Sequence, residues 1–137
     1  MHLLLLPILG WIAVTDARTH RIANKAVVTL AVTGLVTLDI KNFDVGSQLQ
    51  AAMSVLVIGL LLSIFCGIGM GDVKLIVVLA LFLLPPDLAM YRRFSLIVCL
   101  FAFAYALYLS RGKFRDSVKI PLAPAIFFGT IITLIAK

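Results

Sequence analysis

Apolar residues run with little interruption through six stretches, roughly Leu3–Val14, Ala26–Leu38, Leu49–Cys66, Val73–Leu84, Phe94–Leu109 and Ala123–Ala136. Short polar connections separate them. Strands of a membrane barrel would alternate polar and apolar positions, whereas these runs are continuous and therefore predict helices. The expected fold is all-α: a polytopic membrane helix bundle of about six transmembrane helices. Several runs fall short of the ~20 residues that cross a bilayer, so their helices must recruit polar residues at their ends. Asp16 and Asp72 lie at two of those ends.

Composition supports lipid as the main solvent. Of 137 residues 63% are hydrophobic and 13% charged, about half the charged share of a soluble domain. The mean hydropathy is +1.16. No Ser/Gly-rich linker, low-complexity tract or repeat divides the chain, so residues 1–137 are expected to form one domain. The first run has the length of a signal peptide, but it lacks a basic start beyond His2 and an A-x-A site, so it reads as a retained helix.

The net charge of +6 could suggest nucleic acid. In a membrane chain, basic residues more often fill cytoplasmic loops and meet anionic lipid, so lipid is the expected partner and nucleic acid is not. The connections after the first, third and fifth runs hold Arg18, Arg21, Lys25, Lys74, Arg111, Lys113, Arg115 and Lys119, while the opposite side holds Lys41, Arg92, Arg93 and Lys137. The positive-inside bias then places both termini outside and the richer side in the cytoplasm, with Asp16 and Asp72 at that boundary. Cys66 and Cys99 lie inside apolar runs without metal or disulfide spacing and read as buried small hydrophobes.

There is no Glu, so six Asp residues supply every carboxylate side chain. Asp39, Asp44, Asp87 and Asp116 sit in polar connections and read as solvated loop residues. Asp16 ends the first apolar run and Asp72 opens the fourth, where an ionised Asp near the membrane core costs about 2.5–3.5 kcal/mol and usually has a function. Plainer roles exist for both. Asp72 could N-cap a helix, and Asp16 could be an interfacial residue beside Arg18. The alternate glycines Gly67, Gly69 and Gly71 just before Asp72 argue for more than a cap, because they allow a sharp turn and close backbone approach. Two carboxyls a few ångströms apart share a proton, so one can activate water while the other protonates a carbonyl oxygen. Such chemistry needs no metal or cofactor.

Gly69-Met70-Gly71-Asp72-Val73-Lys74-Leu75 resembles the GxGD signature of the type IV prepilin peptidases, a family of membrane aspartic proteases. The segment from Asp16 to Asn24 resembles that around their first catalytic Asp, with Ala23 where the family usually has Pro. Ile120-Pro121-Leu122-Ala123-Pro124 resembles the start of their last helix. The resemblance implies catalysis by Asp16 and Asp72 and removal of the basic leader from a prepilin or pseudopilin precursor, after a Gly, at the cytoplasmic face of the inner membrane. It offers Gly67, Gly69, Gly71, Asn24, Lys74, Pro121 and Pro124 as residues of the substrate groove or its turns. The cysteine-rich segment of the larger members has no counterpart here, so a short peptidase-only form, like those of tight-adherence pilus systems, is expected without methyltransferase activity.

Lys74 could tune the carboxyl pair or anchor its helix; a spacing of two turns it away from Asp72 and favours anchoring. His20, Arg18 and Arg21 read as interfacial polar residues. Two other readings of the chain remain open at this stage. One is a small transporter or channel subunit that binds a cation or proton through Asp16 and Asp72. The other is an inactive structural member of the same family.

Overall fold

The computed structural model describes residues 5–19, 22–38, 43–110 and 122–135. These residues form six helices and no strand: α1 (Leu5–Thr19), α2 (Asn24–Val36), α3 (Val45–Cys66), α4 (Met70–Phe82), α5 (Leu88–Ser110) and α6 (Ala123–Ile135). Each predicted apolar run corresponds to one helix. The boundaries differ because polar and small residues extend the helices: α1 continues past Asp16 to Thr19, and α5 begins before Arg92 and Arg93. Two helices, α3 and α5, are long and apolar enough to cross a membrane, over Val45–Phe65 and Leu88–Tyr108.

The main contacts give the packing order α3, α4, α2, α1, α6, α5. A shared core joins Leu5, Leu9 and Ile12 of α1 to Leu30 of α2, Leu75 and Leu79 of α4, Phe94 and Val98 of α5, and Ile126 of α6. Helices in lipid gain little hydrophobic drive from meeting one another, so close van der Waals contact must hold them. Small residues at the crossings permit that contact. A Cβ on Gly59 would lie 2.7 Å from Val73 Cγ1, and one on Gly129 would lie 2.5 Å from Val98 Cγ2. The buried hydroxyls of Thr130 and Thr133 donate to Ile126 O and Gly129 O within α6, both at 2.7 Å. Their polarity is therefore satisfied inside one helix.

Asp44 and Asp87 are exposed and lie outside the helices, as expected of loop residues, and both also serve helix starts. Asp44 is the N-cap of α3, where it accepts hydrogen bonds from Ser47 N at 3.4 Å and Ser47 Oγ. Those bonds hold its carboxyl below the usual value. Asp87 likewise serves the start of α5, accepting from Ala89 N at 3.1 Å. Helix starts carry unsatisfied N–H groups, and a polar residue before an apolar run is well placed to meet them. Cys99 is exposed rather than buried, because the outward face of a membrane helix is itself apolar. The Cys66 side chain, Asp39 and Asp116 lie outside the described residues.

Candidate active site

The last turn of α1 carries Asp16, which is only 4% exposed. Thr15 beside it is satisfied locally, donating from Oγ1 to Ile12 O at 2.9 Å and Trp11 O at 3.0 Å. Asp16 instead reaches across the bundle. Its Oδ2 accepts from the backbone N–H of Ala123, the first residue of α6, at 3.2 Å in a buried setting. The unpaired amides of a helix start suit a carboxylate partner.

Asp72 is placed by the hairpin between α3 and α4. Gly67 ends α3 in the left-handed region, at φ 70° and ψ 22°, a conformation glycine adopts without a Cβ penalty. Ser63 Oγ then donates to Ile68 O at 2.9 Å and pins the turn. Gly69 is the N-cap of α4 and offers no side-chain bond; its carbonyl accepts from Asp72 N at 3.0 Å and Val73 N at 3.3 Å. Asp72 thus lies in the first turn without being the cap. A Cβ on Gly69 would stand 2.9 Å from Asp72 Oδ2, so the glycine leaves room for the carboxyl. Asp72 Oδ1 is buried with no hydrogen-bond partner among the described residues. Its electrostatic neighbour is Asp16, so the ends of α1 and α4 bring the two carboxyls within interaction range.

The other expected residues divide into groups. Gly71 lets the α1–α2 connection approach, because a Cβ there would lie 3.1 Å from Ile22 Cβ. Lys74 donates from Nζ to Asn24 Oδ1 at 3.3 Å, which agrees with the anchoring role. Pro124 occupies the second position of α6, where a missing N–H costs little. Arg18 is exposed at the end of α1. Pro121, His20 and Arg21 lie outside the described residues.

Sequence reasoning missed Ala123 and Ile22. A backbone donor has no side-chain signature. The one available hint was Pro124, which marks a helix start and so predicts free amides just before it.

Two carboxyls from separate helices of an all-helical bundle thus interact, and the start of a third helix holds that of Asp16. The type IV leader peptidase family matches residues 3–110, and the chain belongs to that family. It is accordingly a leader-peptidase-like protease of a membrane-embedded family. The match includes Asp16 and Asp72 and ends before α6, so the place of Ala123 beside Asp16 rests on the structure alone. No curated protein and no solved structure matches the chain significantly.

Proposed function

We propose that this protein is an aspartic endopeptidase whose catalytic pair is Asp16 and Asp72, and that it removes the basic leader from type IV prepilin-like precursors at the cytoplasmic face. The observation that carries the reading is the burial of Asp72 Oδ1 without a hydrogen-bond partner among the described residues, within the electrostatic influence of a second carboxyl. A cap or an ion pair would have used that oxygen. Two neighbouring carboxyls that share one proton need no other group for amide hydrolysis.

In the reaction, the ionised carboxyl takes a proton from water as the oxygen attacks the scissile carbonyl carbon. The protonated carboxyl gives its proton to the carbonyl oxygen, forming a neutral tetrahedral diol. Collapse breaks the C–N bond; the amine leaves with one proton and a diol proton returns to the pair. Ala123 N–H holds Asp16 Oδ2 so that the carboxyl keeps its orientation. Cleavage after a Gly follows from the family resemblance. The cytoplasmic placement of the site rests on the excess of Lys and Arg on that side.

Co-expression with a prepilin-type precursor tests the proposal. Asp16→Asn and Asp72→Asn should each reduce processing by about a thousandfold or more while the protein stays in the membrane. Normal processing by either variant would rule out the carboxyl pair.

A further inference from the structure

The connection between α1 and α2 touches α4 through two adjacent contacts. Ile22 packs so closely on Gly71 that a Cβ there would stand 3.1 Å from Ile22 Cβ. Two residues later, Asn24 Oδ1 accepts from Lys74 Nζ at 3.3 Å, across a sequence separation of 50. Gly71 and Lys74 flank Asp72, and Ile22 and Asn24 follow the helix that carries Asp16.

Neither polar partner has an adequate local reason for its position. A cation near the start of a helix opposes the helix dipole, so Lys74 gives α4 no local benefit. Asn favours N-cap positions, yet Asn24 sits one residue inside α2, whose N-cap is Ala23 without a side-chain cap bond. Both side chains are committed to the contact between α2 and α4. Ala23 between them has φ −68° and ψ 127°, and its carbonyl accepts from Ala26 N at 2.9 Å and Val27 N at 3.3 Å. The three-residue segment is thus fixed to α4 on both sides and to α2 by its middle.

We infer that Ile22, Ala23 and Asn24 form, with Gly71 and Lys74, a latch that sets the spacing of the two carboxyl-bearing helix ends. Lys74 and Asn24 are then positioning residues for peptide cleavage. The inference rests on the proposed role of Asp16 and Asp72. Misplacement of a reacting group by about 1 Å can cost about a hundredfold in rate, so an exposed hydrogen bond that adds little stability can still control turnover.

The test uses the full chain in lipid nanodiscs, with Lys74→Met and Asn24→Leu to remove the bond, their double variant, and Asn24→Asp to keep an acceptor oxygen. Amide hydrogen exchange over 22–27 and 70–73 should rise about tenfold in both single variants and no further in the double, with Asn24→Asp near wild type. On a prepilin-type precursor, kcat should fall about ten- to hundredfold with KM within about twofold. Unchanged local exchange would overturn the latch, as would a double variant equal to the product of the singles. A rise that also spreads over 88–110 and 123–135 would mark a general structural role and overturn it too. Raised KM at constant kcat would make these residues substrate contacts instead. If the wild-type protein cleaved no precursor, the peptidase reading would fail while the exchange measurements still decided the latch.

Discussion

The starts of α3 and α4 look alike in sequence, each an Asp within two residues of a glycine at the head of an apolar run, but they use the carboxyl in opposite ways. Asp44 stands outside its helix, is exposed, and spends its oxygens on Ser47. Asp72 stands inside the first turn, and the cap position before it belongs to a glycine that cannot cap with a side chain. One carboxyl stabilises its helix. The other is withheld from its own helix and left beside Asp16. A shift of three residues in the helix start, from Asp72 to Gly69, separates a structural role from the proposed chemical one.

Short of removing a carboxyl, the largest expected effect comes from making α4 less permissive. Gly69→Ala adds a Cβ that meets Asp72 Oδ2 at 2.9 Å. That oxygen ends a flexible side chain, so it can move at small cost in stability but not without leaving its place. Cleavage should fall about a hundredfold while the melting temperature changes by less than about 2 °C. A variant as active as wild type would show that the glycine serves only the turn.

Asp44→Ala is the converse, with melting temperature lower by about 2–4 °C and cleavage unchanged, measured by thermal scans and precursor processing in parallel. Its pH dependence has a definite sign. Because folding holds the Asp44 carboxyl below its ordinary value of 3.8, its stabilisation is complete at neutral pH and is lost as pH falls below that value. Wild type and Asp44→Ala should therefore converge in stability on acidification. The smallest effect concerns the uncapped start of α2. Ala23 already has a proline-like φ of −68°, so Ala23→Pro should stabilise by about 0.4–1 kcal/mol in denaturant unfolding and leave cleavage intact. Loss of stability would show that the Ala23 N–H has a partner proline cannot supply.

All six helices were legible as apolar runs, because continuous apolarity is what lipid requires of a helix. Their partners were not. The described residues of α3 and α4 are both apolar on every side, yet α4 buries Val73, Leu75, Leu79 and Ala80 while α3 buries only Ala52. In water an amphipathic stripe would have told them apart; facing lipid, the exposed side is as apolar as the buried one. Asp16 and Asp72 were legible because charge near a membrane core is costly and there were few carboxyls to consider. Ala23 stands where the family usually has proline, and the backbone takes a proline-like conformation without it. Lys74 was expected to anchor, and its partner Asn24 could not be named because 50 residues separate them.

The 13 residues of α4 have a further consequence. At 1.5 Å per residue this helix covers about 20 Å, against a hydrocarbon thickness of about 30 Å. α2 and α6 are equally short. One response of a bilayer to spans this short is local thinning, which draws hydrated headgroups and their water inward. Every peptide bond cut consumes one water molecule, a scarce reagent inside a bilayer. On the proposed peptidase reading, thinning around helices this short would bring water to the end of the bundle that carries Asp16 and Asp72.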